Sequence, residues 1–445
     1  MTDRMADTAG KLLALAKEVG ADAADVLAVA GAFLEVEMRD GITEKLERSE
    51  DQDFGLRVLV GQGQAVVSTS RDDVTSLRQV AERAVAMASA APPDSFAGLA
   101  AAETVAATWP DLMLADAAAP DAATLTERAR DAEQAGRDVP GVTRSNGASA
   151  TASRRRILLV ASNGFAGAYE RTGYAVAASM IAGTGTAMER DHDWHSALHW
   201  QSLKAPAEIG RTAGERAVRR LNPRKVPSGP LPVMYENRIA GGLVGHLLGA
   251  IVGSAVARGT SFLKDSMGES LFRPEIAIID DGTIRRGLAS KPFDAEGRAT
   301  RLTPLVTEGR LVSWLLDEHS ARQLGLVSTG HASRGTSGPP SPQPTNVTLA
   351  AGRRNPQALM RDMGRGLLVT ELIGMGVNGV TGDYSRGAAG FWIEDGAIAF
   401  PVSEITIASN LKTMFRDLEA ADDLELRGAI NAPSLLVPEM TLAGT

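Results

Sequence analysis

Three histidines close together are the first residues in this chain that suggest chemistry: His192, His195 and His199, in the stretch DHDWHSALHW. On a helix, steps of three and four residues put all three on one face. Asp191 and Asp193 add carboxylate oxygens, and such a donor set can hold zinc. No glutamate stands beside them as a general base, and a polar surface segment accounts for the same residues. A second candidate is His246. A hydrolytic zinc helix needs two histidines on neighbouring turns and a glutamate to activate water. The positions one turn away are Gly241, Gly242, Ala250 and Ile251, so His246 reads as a packed core histidine. The third candidate is TGDYSRGAAGFW, residues 381–392. Its glycines let a ligand approach the backbone, and Asp383, Tyr384, Arg386, Phe391 and Trp392 offer contacts to a peptide. An exposed strand edge here can take up a peptide as an added strand. A tight hairpin with its own aromatic core is the competing explanation. Neither a nucleophile elbow nor a phosphate loop occurs in the sequence.

These candidates must be positioned by regular elements, and the organising one is Ile239 to Ala257, uncharged between Arg238 and Arg258. Its length approaches the ~20 apolar residues that span a bilayer. Nine of its residues are Gly or Ala, however, one is His246, and no second segment resembles it. It reads as a buried helix at the centre of a soluble domain. Gly241, Gly245, Gly249 and Gly253 recur every fourth residue and share a face. Each costs a helix ~1 kcal/mol relative to Ala, so a second backbone is expected to pack against them. Gly249→Leu is then expected to destabilise the protein.

The chain of 445 residues is long enough for two or three domains, and its net charge of −8 offers no basic field for nucleic acid. It has no cysteine, which excludes disulfides and thiolate ligands. The N-terminal stretch is amphipathic rather than signal-peptide-like, and a cytoplasmic location is expected. The fold class is α+β with two domains. Residues 1–222 form a mixed α/β N-terminal domain, with hairpins at Gly61-Gln62-Gly63 and Asn163-Gly164. Residues 94–120 read as an exposed connection and Thr124 to Ala135 as a charged surface helix. A Pro-rich linker at 223–232 leads to a C-terminal domain, 233–445, rich in antiparallel strands around the glycine-striped helix. Residues 328–345 form a Gly/Ser/Pro loop long enough for a binding role.

Several stretches carry a specific resemblance: GLVGHLLGAIVGSAVARGTSFLKDSMGE (242–269), GLASKPFDAEG (287–297), SARQLGLVSTGHA (320–332), VTGDYSRGAAGFWIEDGAIAFPVSEITIASNLKTM (380–414) and PEMTLAG (438–444). With these the chain resembles the PmbA/TldE branch of the TldD/PmbA proteins, once named modulators of DNA gyrase. The resemblance implies a subunit of a cytoplasmic zinc peptidase. In that family the TldD-type partner carries HExxxH and a cysteine ligand. Aligned on Gly259-Thr260-Ser261, the motif would fall on Val244, Gly245 and Gly249. This chain has none of its residues there, so no catalytic residue and no metal ligand is expected in it, and zinc is expected in the TldD-type partner. The role implied is to close the proteolytic chamber of a heterodimer and help hold a small unfolded peptide, such as a microcin precursor or an antitoxin. No nucleic-acid or membrane partner is expected, and a homodimer is compatible with the isolated chain. Two other classes remain open. One is a self-sufficient metallohydrolase using His192, His195 and His199, and the other a binding protein acting on gyrase.

Overall fold

The structure, a computed structural model, describes residues 2–444. Its architecture is α+β, as expected. The N-terminal half is organised by one antiparallel sheet. Helix α1 (Thr2–Glu18) leads into strand β1 (Ala23–Arg39), which returns through Asp40-Gly41 as β2 (Ile42–Val60) and then β3 (Gly63–Thr69). Helices α2 (Val74–Ala90) and α3 (Ala122–Arg137) follow, then β4 (Val142–Ala161), β5 (Ala166–Ala182), β6 (Glu189–Ala197) and α4 (Pro206–Arg219). The strand order is β3-β2-β1-β4-β5-β6. Asp73 caps α2 by accepting the Ser76 N–H. At one end of the sheet α1 and α2 bury Leu12 and Leu77 against Phe54 and Leu56. At the other, α3 and α4 bury Leu125 and Ile209 against Val36 and Met180.

One expectation fails here, because the apolar residues of the stretch are sparse but well placed. Residues 94–120 are not a free connection: Leu112 and Leu114 are buried, and Trp109 packs on Phe165 and Phe293. Helix α3 is a surface helix with one buried face: Leu125, Ala129 and Ala132 pack inward, and Glu127, Arg130, Asp131 and Gln134 are exposed.

In the C-terminal half, β7 (Gly229–Tyr235) is followed by α5 (Asn237–Ile251) and α6 (Gly253–Ala257). Next come β8 (Ile278–Asp281), β9 (Leu302–Thr307), β10 (Arg310–Leu311), α7 (Glu318–Leu324), β11 (Ala332–Ser333), β12 (Ser341–Pro342) and β13 (Val347–Leu349). The chain ends with α8 (Pro356–Met363), β14 (Gly366–Ile373), β15 (Asp383–Glu394), β16 (Ala397–Asn410), α9 (Leu411–Asp417), β17 (Glu419–Ala420), β18 (Ile430–Asn431) and β19 (Leu435–Ala443). One sheet runs β10-β9-β8-β13-β18. Another runs β16-β15-β14-β7-β19-β17, and an additional β16–β19 pairing closes it on itself. The pairings are mostly antiparallel, with β14–β7 and β13–β18 parallel. Residues 223–232 are not a free linker. β7 already begins at Gly229, and the Arg224 N–H donates to Pro401 O at 2.9 Å.

The central segment is helical and its apolar face is core, with Leu243, Leu247 and Ile251 packed among Tyr235, Leu367 and Leu435. It is not one helix. Val252 leaves the helical conformation (φ −64°, ψ 122°), and Gly253 N and Leu315 N bond instead to Leu315 O and Ile251 O at 2.8 and 3.0 Å. The glycine stripe differs more from expectation. A Cβ on Gly241 would stand 3.0 Å from Ile430 O, and one on Gly253 would press on Leu316 and Ser320. A Cβ on Gly245 or Gly249 would meet nothing within 4 Å. The middle of the stripe is therefore open, and a leucine at position 249 meets no clash there.

The backbone-on-glycine packing occurs elsewhere, where α3 crosses α4. A Cβ on Gly214 would lie 2.8 Å from Gly136 O, and one on Gly210 would overlap the Ala132 carbonyl. Backbone cannot give way as a flexible side chain does. Gly210→Ala should therefore cost on the order of 1–3 kcal/mol as overpacking. Chemical denaturation of the variant checks this, and an unchanged midpoint would show that the two helices can separate freely.

Candidate functional site

The open face of α5 and the strand beneath it form the candidate site. Gly242 and Gly249 are exposed on the helix, and no atom lies within 4 Å of a Cβ built at either. His246, half-buried on the same helix, meets Tyr384 of β15 edge to face, with ring centroids 5.8 Å apart. Burial, aided by the charge of Arg386, lowers the His246 pKa, which favours the neutral ring. Tyr384 is buried, and burial raises the pKa of its hydroxyl, which has no hydrogen-bond partner. Arg386 Nε is likewise buried without a partner. The neighbouring Tyr235 hydroxyl donates to Met440 Sδ at 3.4 Å. A cluster of under-satisfied polar groups thus lies beside the bare helix face, an arrangement that native cores seldom keep.

The residues suggested for peptide contact divide by burial. Tyr384, Phe391 and Trp392 are 1%, 6% and 5% exposed, so their side chains belong to the protein's own packing and not to a binding surface. Phe391 packs with Leu359 and Ile393 under the Arg219 guanidinium. Trp392 lies in the core beside Phe400 with Arg365 over its ring. Aromatic content alone could not tell lining from core. Asp383 is exposed, and its carboxylate accepts Thr381 Oγ1 and Asn410 Nδ2 at 2.6 and 3.1 Å. These bonds, the Thr381 one first, hold its pKa below the usual carboxylate range. No free strand edge exists here. β15 pairs with β14 and β16 on its two sides, and Ser385 N bonds Gly376 O at 2.7 Å. The adjoining loop instead exposes apolar side chains, with Met375 94% exposed, Val380 58% and Ile373 56%.

The three-histidine cluster does not form. The stretch is strand β6, paired residue by residue with β5, so His192 and His195 point to opposite faces. His195 Nδ1 accepts the Lys204 N–H at 3.4 Å, and His199 Nε2 donates to Met113 O at 2.8 Å. Asp191 and Asp193 are engaged by arginines. Arg238 Nη1 reaches Asp191 at 2.6 Å, and Arg216 Nη1 reaches Asp193 at 2.8 Å, with Arg427 beside it. Arg238 and Arg427 belong to the C-terminal half, so the two aspartates fasten β6 to it. The sequence signal for this was the alternation Asp191, Asp193 with a period of two, which marks one face of a strand.

Val244, Gly245 and Gly249 carry no ligating atom, and His246 is turned against Tyr384. Among the described residues no group of three or more His, Asp or Glu is placed to hold a metal ion. The residues on this helix do not fit a metal centre.

Comparison with known proteins gives the class. Residues 24–88, 115–221 and 228–444 match, in order, domain 1, the central domain and the C-terminal domain of PmbA/TldA metallopeptidases. These matches and the fold define a metallopeptidase-type chain. The chain belongs to the PmbA/TldD family. It is 36% identical to the metalloprotease PmbA homolog of Haemophilus influenzae, covering 97% of this chain and 94% of that protein. The metalloprotease TldD homolog of the same organism is 26% identical over 53% of each chain. A structure described as a modulator of DNA gyrase, from Bacteroides thetaiotaomicron, superposes with TM-score 0.90 at 26% identity, over 99% of this chain and 98% of that one. TldE of Thermococcus kodakarensis has TM-score 0.87 at 18% identity, over 98% and 100%, and so shares the fold. No helix among the described residues is long and apolar enough to cross a membrane.

Proposed function

We propose that this chain is the subunit of a TldD/TldE-type metallopeptidase that lacks the metal site, and that it closes the chamber in which a small unfolded peptide is cut. The observation that carries the reading is the open glycine face. Gly245 and Gly249 look into empty space where the resemblance places the glutamate and second histidine of HExxxH. The site has kept its opening while presenting no ligand. A bare helix face lets an extended backbone approach closely, with Asp383 and Arg386 as the remaining polar contacts from residues 381–392. The exposed Ile373, Met375 and Val380 are the kind of apolar patch that marks a partner surface. The occurrence of PmbA and TldD homologs as separate proteins of one organism supports a heteromeric enzyme. The zinc and the general base would then belong to the TldD-type partner.

The test is a peptide-cleavage assay on the isolated chain, on a TldD-type partner, and on their mixture, with complex formation followed by size-exclusion chromatography. The expected result is no cleavage by the isolated chain and cleavage by the mixture that exceeds the partner alone by at least tenfold. Chelator-sensitive cleavage by the isolated chain overturns the proposal. So does a partner whose activity is indifferent to this chain.

A further inference from the structure

A second cavity lies between the N-terminal sheet and the loop that joins α7 to β13. Its volume is about 410 Å³, within the range of small-molecule sites. No residue of α5 or of 381–392 lines it, so it is separate from the site above. One wall is apolar, built from sheet residues such as Ile157 and Tyr169 together with Phe293. The same sheet wall turns basic one cross-strand pair further along, at Arg155 and Arg171, and the facing segments add Lys291 and Arg334.

The acids nearby neutralise the basic side chains only in part. Arg334 is fully buried at its side chain. One nitrogen pairs with Asp25, while Nε and Nη1 are buried with no partner. Among the described residues no hydrogen bond or ion pair engages the Arg155 side chain, while its backbone is held in the sheet. Arg171 and Lys291 donate only to the carbonyl oxygens of Leu288 and Ala332. Burial lowers the pKa of both, for Lys291 against the opposing charges of Asp294 and Asp280. Of the lining acids, Asp53 is taken by Thr336 Oγ1. Asp294 accepts three backbone N–H bonds, and burial raises its pKa. Asp51, at the rim, is exposed. A buried guanidinium with two free N–H groups is costly unless something pairs with it.

We propose that this cavity binds a small organic carboxylate with an aromatic or aliphatic body. The exposed guanidinium of Arg155, with Arg171, Lys291 and Arg334 around the same space, suits a carboxylate. The apolar wall suits the body that carries it. A bare inorganic anion would use only the basic side.

The test is calorimetric titration of the full chain with 3-phenylpropionate, with its amide, and with inorganic phosphate, supported by ligand-dependent melting. The acid should bind saturably at about one per chain and raise the melting temperature, and the amide should bind at least tenfold more weakly. Arg155→Gln is the variant of choice because Arg155 has no structural ion pair to lose. It should keep the unliganded melting temperature and weaken acid binding at least tenfold. Saturable binding absent up to millimolar acid overturns the proposal, as does equal affinity for the amide or binding unchanged in Arg155→Gln. Phosphate binding as tightly as the acid would overturn the role given to the apolar wall. None of these outcomes depends on peptide cleavage, so this inference and the proposed function fail separately.

Discussion

Asp25→Ala should cost the fold roughly 3–5 kcal/mol, the usual penalty for removing one partner of a buried ion pair. Asp25 is 2% exposed and lies on β1. Its carboxylate accepts Arg57 Nε at 2.7 Å from the neighbouring strand β2 and pairs through the other oxygen with Arg334. Removing it leaves two buried guanidinium groups with Glu296, and for Arg57 also Asp317, as the remaining acids that act on them, and burial drives Glu296 toward its neutral form. The damage should reach beyond the N-terminal sheet, because Arg334 belongs to the C-terminal half and anchors residues 328–345 there, with Thr336 bonded to Asp53. Limited proteolysis should therefore cut this loop faster in the variant, alongside a lower denaturation midpoint. A triple variant, Asp25→Leu with Arg57→Met and Arg334→Met, should recover much of the loss, since an apolar set of similar volume has no charge left to strand. An unchanged midpoint in Asp25→Ala would mean that water in the adjacent cavity solvates the arginines well enough to replace the carboxylate.

That network shows where a sequence stops being readable. Asp25, Arg57 and Arg334 are far apart in the chain, and no spacing rule joins them. What periodicity and turn chemistry do encode was legible: the hairpins at Gly61-Gln62-Gly63 and Asn163-Gly164, the α+β class, and the helical character of 239–251. The break at Val252 was not, because it is made by Leu315, a residue on a distant segment whose backbone captures the freed groups. The histidine segment was misread because i, i+3, i+7 fits a helix, whereas the β5 register makes it a strand. Glycine was the most ambiguous residue. At Gly136, Gly210 and Gly214 its absence of a side chain admits another backbone, and at Gly245 and Gly249 it leaves an opening. Both uses give small residues four apart on a helix, so spacing alone could not separate them. The resemblance supplied what spacing lacked, by placing the glutamate and second histidine of HExxxH on Gly245 and Gly249, which prove open, while the first histidine falls on the buried Val244.

That opening makes Gly249→Leu the sharpest variant for the proposed function. The position is helical, exposed and without a neighbour within 4 Å of a Cβ. Replacing glycine in such a place removes a helix penalty of ~1 kcal/mol, so the isolated chain should melt no lower than the parent, and Gly249→Ala should melt slightly higher. If an extended peptide lies against this face, a leucine side chain takes the space its backbone needs. Cleavage by the mixture with a TldD-type partner should then fall at least tenfold in kcat/KM, a loss of about 1.4 kcal/mol or more in transition-state binding. Gly249→Ala, which adds one methyl, should retain most of the activity. Size-exclusion chromatography of the mixture separates the two ways of losing activity: a complex that still assembles but does not cleave has lost its peptide path, whereas one that fails to assemble has lost its partner surface. Full cleavage by a well-folded Gly249→Leu complex would show that the glycine face carries no substrate. A melting temperature several degrees below the parent would show that the face is covered in solution. Either result removes the observation on which the proposed function rests.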